Sequence, residues 1–423
     1  MTLIADAAAR TILDSRGNLT LEAEVLTESG GFGRAGAPSG ASTGKHEVKA
    51  WPEGGAAAAL KAARKAVIPA LVGLDAADQP GVDGALATLD GTPDFRTIGG
   101  NVATAFSLAS ARAAADALGV PLYRHLGGAF PSLAVRPFGN VLGGGAHAIG
   151  GTSIQEFMAV GLGPTIRDSV LANAQVHKRV GAILKEKLPG QAIGKGDEGA
   201  WVAPVEDEEA LTVVARACEE VSGEVRWGVK AGLDVAATEL WTGKAYKYRT
   251  KQRSPKEQLD FMAKLADTHG LFSIEDPFHE EAFDAFAELT ERVGDHCLVI
   301  ADDLTVTNPA RLAQAIEAQA GNAILIKVNQ IGTLTRTAET IRMAHDAGWK
   351  CVVSHRSGET TDDSIAHLAV AMGCLGLKTG AVGGERIAKL NELMRIEGWV
   401  RGEADEPSAE PAARSTRKER RGR

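Results

Sequence analysis

The sequence predicts an α/β protein in two parts, a closed parallel β/α barrel preceded by a smaller α+β domain. Six apolar runs carry the barrel expectation: VKAGL ending on Asp234, LFSI on Glu275, CLVIA on Asp302, AILI on Lys327, CVVS on His355 and LGL on Lys378. Each has the length and branched content of a buried strand. Each is followed by a stretch with helical periodicity, as at 309–320 and 334–347, and the interval of about 30 residues is that of one βα unit. Barrels of this kind place their chemistry where the strands end. The three carboxylates, two lysines and the histidine are therefore expected in one pocket. Packing alone explains them poorly, because each buried ion costs several kcal/mol to desolvate unless it is paired or metal-bound.

A chain of 423 residues exceeds one ordinary domain. Residues 11–38 alternate between turn signals, Ser15-Arg16-Gly17-Asn18 and Ser29-Gly30-Gly31, as an antiparallel meander does. Helical periodicity follows at 55–72 and 101–118, separated by a Gly/Pro/Asp-rich region over 75–93. The Gly/Pro cluster at 127–137 divides an α+β domain, 1–130, from a barrel domain, 131–401. The barrel opens irregularly, with FGNV, a glycine-rich GGGAHAIGG, the strand-like IQEFMAV and a long helix over 167–187. Residues 241–248, WTGKAYKY, read as an inserted hairpin or loop. From 402 to 423 there is no large apolar residue, and Arg414, Arg417, Lys418, Arg420, Arg421 and Arg423 face only Glu419. That segment is expected to be a disordered tail, with the charge to bind an acidic partner or RNA.

With 44% hydrophobic and 24% charged residues, the composition is that of a soluble globular protein. A net charge of −8 argues against broad nucleic-acid or anionic-membrane binding by the folded body. No run approaches the ~20 apolar residues of a membrane span, and the N-terminus lacks a signal-peptide pattern. Cys218, Cys297, Cys351 and Cys374 form no CxxC pair and read as buried reduced thiols, from which a cytoplasmic location is expected.

Asp234, Glu275 and Asp302 are hard oxygen donors on successive strand ends, a set that suits Mg²⁺. Zinc is disfavoured because no His/Cys cluster accompanies them. The competing reading is ion pairing with Lys327 or Lys378, or capping of the following helices. Asp276 and Asp303 alternate away from their neighbours and read as supporting or capping residues. Lys327 ends a very apolar strand, where burial beside a divalent cation is expected to lower its pKa and make it a general base. Lys378 is similarly placed, and physics alone does not choose between them. Arg356 and Ser357, beside His355, suit a phosphate. Glu198, in the turn Gly196-Asp197-Glu198-Gly199, and the pair Gln155-Glu156 are further acid or contact candidates, as is His147 in the glycine-rich loop. Residues 38–45, PSGASTGK, are not a P-loop, since the glycines are too close and His46 follows Lys45. They read as a mobile lid. GGGAHAIGG likewise lacks the spacing of a dinucleotide fingerprint.

These stretches together resemble the enolase family along nearly the whole chain. The blocks are ILDSRGN (12–18), APSGASTG (37–44), GGAHA (144–148), IQEFM (154–158), GDEGAW (196–201), SIEDP (273–277), ADDLTVTN (301–308), KVNQIGT (327–333), SHRSGETTD (354–362), KTG (378–380) and ERIAKLNELMRIE (385–397). GDEGAW resembles the archaeal form. The resemblance implies a modified, TIM-like barrel and reversible Mg²⁺-dependent dehydration of 2-phosphoglycerate to phosphoenolpyruvate, in glycolysis and gluconeogenesis. It also implies roles. Asp234, Glu275 and Asp302 would bind a first Mg²⁺, and Ser42 a second that arrives with substrate. Lys327 would be the base, and Glu198 with Glu156 beside it the acid. Lys378 would bind the substrate carboxylate and Arg356 with Ser357 the phosphate, with His147, Gln155 and His355 lining the site. A homodimer or an octamer is the implied assembly. Leu19, Gly143 and an extra residue after Trp201 depart from the family pattern without touching these positions.

Overall fold

The structure, a computed structural model, describes residues 1–40, 44–148 and 150–403, with the backbone alone at His147. The N-terminal part begins with an antiparallel meander: β1 (Ile4–Leu13), β2 (Leu19–Thr27) and β3 (Phe32–Gly36). The meander starts earlier than the alternation indicated, because the alanine-rich first strand, IADAAARTIL, has little hydrophobic contrast. Asp14 shapes the first turn by accepting from the N–H groups of Arg16 and Asn18.

The region 75–93 is not merely a separator. It contains helix α1 (Gln79–Asp90), capped by Asp78, whose side chain accepts from the Gly81 N–H at 3.1 Å. Pro80 sits in the first turn, where a missing N–H costs nothing, so composition that reads as a break is a helix start. Helix α2 (Gly100–Leu118) lies directly on β2 and β3. Gly33 makes that approach possible: a Cβ there would lie 2.0 Å from the Ala109 carbonyl oxygen and 2.4 Å from the Ala113 nitrogen. Gly33→Ala is expected to cost about 1–3 kcal/mol through overpacking. Exposed Gly84, inside α1 with open space around it, is the comparison. Gly84→Ala is expected to stabilise by up to about 1 kcal/mol. Thermal unfolding of the two variants should therefore move in opposite directions.

The second part closes as an eight-stranded barrel. Its strands are β4 (Arg136–Gly143), β5 (Glu156–Gly161), β6 (Val229–Asp234), β7 (Ser273–Glu275), β8 (Leu298–Ala301), β9 (Ala323–Ile326), β10 (Lys350–Ser354) and β11 (Gly376–Gly380), and β11 returns to pair with β4. All six apolar runs are strands, each parallel to its neighbour in that set. The departure from an all-parallel barrel is β5, antiparallel to both β4 and β6. Its cause is local. Among its described residues the link from β4 to β5 carries only the short turn Gly145–His147, whereas a parallel return needs a crossover, usually an α-helix. Because β5 runs backwards, its first residues, not its last, lie at the chemical end: Glu156 pairs in register with Asp234.

Inside the barrel, Phe138, Met158, Val160, Ile300, Ala323, Leu325 and Val352 form a closed apolar cluster. Strand side chains alternate with period two. Two residues beyond Ile300 comes Asp302, beyond Leu325 comes Lys327, beyond Val352 comes Ser354 and beyond Phe138 comes Asn140. The apolar plug and the charged layer above it are thus successive storeys of the same inward-facing rows. The helices α3 (Ile166–Lys187), α4 (Asp207–Val225), α5 (Pro255–His269), α6 (Phe283–Val293), α7 (Pro309–Glu317), α8 (Leu334–Asp346), α9 (Ser364–Ala371) and α10 (Gly384–Arg401) follow barrel strands. A two-stranded hairpin, Tyr246–Lys247 with Gln252–Arg253, accounts for the inserted segment. All four cysteines are free and buried. Among the described residues no helix is long and apolar enough to cross a membrane. Residues 404–423, where most of the basic tail falls, and the centre of the lid at 41–43 lie outside the described residues.

Candidate active site

One cavity at the mouth of the barrel is lined by Gln155, Glu156, Glu198, Asp234, Asp302, Lys327, His355, Arg356, Ser357 and Lys378. Glu275 joins them through Lys378, whose ammonium donates to both Glu275 oxygens and to Asp234 Oδ2, each at 2.8 Å. Glu156 Oε1 is 3.3 Å from the same nitrogen. The ten sequence-predicted residues in the cavity wall and Glu275 are thus brought together. Ser42 and the His147 side chain lie outside the described residues.

The site is strongly electrostatic. Burial raises the Glu275 carboxyl well above the usual range, and the charge of Asp234 adds to that. Glu156 is raised well above its range by burial and then by facing Glu198. Burial alone would lower Lys378, but Asp234, Glu156 and Glu275 outweigh it and raise it well above an ordinary lysine. At Lys327 two opposing effects meet in the protein alone, without the divalent cation that the expectation included. Burial acts in the expected direction, yet the ion pair with Asp302 Oδ2, with Glu275 behind it, raises the net value. The apolar strand ends against the carboxylate of Asp302 on the neighbouring strand, the ion pairing weighed above as the competing reading. Asp302 also accepts from Gln330 Nε2 at 3.0 Å, and Gln155 Nε2 donates to Asp234 at 3.3 Å.

Asp276 braces the turn after β8, accepting at 2.9 Å from the N–H groups of both Asp302 and Asp303. It supports the neighbouring acid, as its place beside Glu275 indicated. Its own backbone is left-handed, with φ of 42°. Oxygens of Asp276, Asp302 and Asp303 also come within 4.8 Å of one another, a second grouping able to hold a cation. Burial and Asp302 push the Asp303 carboxyl up to about 8.

Three residues at the site were not singled out by sequence reasoning. Asn140 donates from Nδ2 to Glu198 Oε2 at 3.0 Å. Glu47, from the N-terminal part, grips Arg356 through two bonds of 2.9 and 3.0 Å. Arg386, on the first turn of α10, is fully buried. Alternation beyond Phe138 would have found Asn140. Nothing local marks Glu47, which reaches the site only because the segment after the lid lies across the barrel mouth, with Val48 N–H bonded to the Gln330 carbonyl.

A donor set of buried carboxylates on adjacent strand ends, already gathering the Lys378 ammonium, fits a divalent cation. The fold and the site define a β/α-barrel protein with a buried, highly charged cavity at the strand ends. Comparison with known proteins makes this specific. The family description "Enolase, C-terminal TIM barrel domain" matches residues 132–409, and "Enolase, N-terminal domain" matches residues 4–126. The enolase of Methanocorpusculum labreanum is 53% identical over 401 residues, covering 94% of this chain and 99% of the relative. That of Halobacterium salinarum is 53% identical over 405 residues, with 94% and 99% covered. That of Thermoplasma acidophilum is 47% identical over 394 residues, with 93% and 98% covered. The chain belongs to the enolase family. Its activity is that of a phosphopyruvate hydratase, a lyase of glycolysis that interconverts 2-phosphoglycerate and phosphoenolpyruvate with a metal cofactor, generally Mg²⁺.

Proposed function

We propose that Lys327 is the base that removes the C2 proton of 2-phosphoglycerate, and that Glu198, with Glu156, is the acid that protonates the departing C3 hydroxyl. The carrying observation is the position of the two groups around the ring. Lys327 ends β9, and Glu156 starts β5, four strands away in either direction in an eight-stranded barrel. Lys327 and Glu156 thus stand on opposite walls, and Glu198 is held on the Glu156 side by Asn140 of the neighbouring β4, an arrangement suited to an anti elimination. Burial by itself favours the neutral lysine amine, and Asp302 is the group that opposes it. On the acid side, the repulsion between Glu156 and Glu198 favours holding a proton on that pair.

Asp234, Glu275 and Asp302 would hold one Mg²⁺, and Ser42 would contribute to a second. Bound there, the metal supplies positive charge against the charge that accumulates on the substrate carboxylate as C2 is deprotonated. Lys378 adds its own cation to that carboxylate, and Arg356 with Ser357 holds the phosphate, with His147, Gln155 and His355 lining the site. The N-terminal end of the lid is tied to this wall: Ser39 and Gly358 exchange backbone bonds of 2.7 and 2.8 Å. The assembly proposed is a homodimer or octamer, which light scattering on the purified full chain decides.

The phosphate assignment has a direct test. Arg356→Lys keeps the charge but loses the planar fork that grips a phosphate and Glu47 together. One charge-assisted bond is worth about 1.5–3 kcal/mol. The expected result is a fall of about ten- to a hundredfold in kcat/KM for 2-phosphoglycerate, carried largely by KM. An unchanged KM would remove Arg356 from the phosphate site.

A further inference from the structure

Among the described residues Arg386 is the largest side chain that is completely buried, and the dehydration chemistry proposed above does not use it. It stands at the start of α10, just after Gly383, whose φ is 110°. Gly380 leaves room for its stem: a Cβ there would meet Arg386 Cγ at 3.0 Å and the Glu198 carbonyl oxygen at 2.4 Å.

Both terminal nitrogens of the guanidinium are bonded to backbone carbonyls or to His355. Nη1 donates to the Arg356 carbonyl at 2.6 Å and to His355 Nδ1 at 3.0 Å. Nη2 donates to the Ser357 carbonyl at 2.6 Å and the Asp197 carbonyl at 3.1 Å. Nε lies 3.2 Å from Glu385 Oε1. One residue thus ties the turn after β10 to the turn that carries Glu198.

The bond to His355 does more than tie. A guanidinium has five N–H groups and no acceptor. Any hydrogen bond it makes to Nδ1 requires a lone pair on that nitrogen, so the ring proton must sit on Nε2. Thr379 Oγ1, 3.2 Å from the same Nδ1, is then also a donor. Nε2 lies 3.2 Å from Glu198 Oε1, while Asn140 holds the other oxygen. Which ring nitrogen carries the proton is set by the bond the other one makes. We propose that Arg386 is a positioning residue for the dehydration: it fixes His355 in the Nε2–H tautomer, so that the N–H edge of the ring, and not a lone pair, faces Glu198 Oε1 and biases that carboxyl toward the departing hydroxyl. Burial, with Arg386 adding to it, holds the His355 imidazole down at about 3, so the ring is neutral and the tautomer question is real.

The proposal rests on the reading of Glu198 as the acid, and the test separates the two. Nitrogen-15 spectra of the histidine-labelled full chain, with His355 assigned by its loss in His355→Gln, should show a protonated Nε2 and a bare Nδ1. A protonated Nδ1 in the unsubstituted protein overturns the proposal. Arg386→Met should lose the fixed tautomer and slow phosphoenolpyruvate formation about tenfold or more beyond any slowing of C2 proton exchange, the usual scale for losing an orienting partner. Arg386→Lys, which keeps one donor for Nδ1, should restore both. An equal fall in the two rates with the tautomer intact would make Arg386 a structural clamp only. Should Arg386→Met fail to fold, Thr379→Val decides: a retained Nε2–H supports Arg386, and its loss transfers the role to Thr379. If Glu198→Gln loses C2 exchange as well as product, the acid assignment fails while the tautomer result stands on its own.

Discussion

Lys327→Ala is expected to lose C2 proton exchange with solvent deuterium together with product formation, whereas Glu198→Gln is expected to lose product and keep exchange. The difference follows from the order of steps. If the base acts first, a deprotonated substrate can take a deuteron from Lys327 and return without hydroxide ever leaving. Removing the base closes that route, and removing the acid does not. General acid–base assistance is worth about 10²–10⁴-fold, so either loss stands well above background. Glutamine keeps the size of Glu198 and an oxygen for the His355 or Asn140 donor while removing the transferable proton. The structure sharpens one control. Lys378 is the other strand-end lysine, and it already binds Asp234 and Glu275, whereas Lys327 binds Asp302. If Lys378→Ala lost exchange and Lys327→Ala kept it, the two assignments would be reversed. Mass spectrometry of recovered 2-phosphoglycerate reads exchange, and absorbance of phosphoenolpyruvate reads product.

The barrel was legible because its signal repeats. Six strands end on charged or catalytically capable residues, and inward alternation places Asp302 and Lys327 one storey above an apolar plug. The reversed β5 was harder to see, since IQEFMAV carries no mark of direction. Only the lack of an α-helix among the described residues of the preceding link agrees with the reversal. Helix α1 was hidden by the residues that start it, Asp78 and Pro80, which read equally well as a loop. Lys327 shows the limit on the electrostatic side. Its apolar run was visible, but how far burial is offset by Asp302, 25 residues away on a different strand, was not. Glu47 and Arg386 were missed for the same reason: each acts through contacts of high sequence separation, 309 residues from Glu47 to Arg356 and 31 from Arg386 to His355.

Removal of metal is expected to abolish turnover, and Mg²⁺ is expected to restore it. Lys327, Lys378 and Arg356 are the basic side chains lining the cavity, and Asp302, Glu275 with Asp234, and Glu47 already pair them. A phosphorylated carboxylate that gains a further negative charge on losing its C2 proton therefore exceeds what these side chains can offset. Added Mg²⁺ should also raise the thermal midpoint without substrate, because a ligand that binds only the folded chain stabilises it by about 2.7 kcal/mol at a hundred times its dissociation constant. Two acidic groupings compete as its seat. Asp234 and Glu275 meet around Lys378 with Asp302 on the adjoining strand, whereas Asp276, Asp302 and Asp303 cluster beside them. The first is favoured because Asp276 already spends both oxygens on the N–H groups of Asp302 and Asp303. Asp234→Asn should accordingly raise the Mg²⁺ concentration needed for half the thermal shift, and Asp303→Asn should move it much less. The reverse order would place the ion in the second cluster. A midpoint that ignores Mg²⁺ altogether, with full turnover after exhaustive chelation, would leave the carboxylates as partners of the lysines and nothing more.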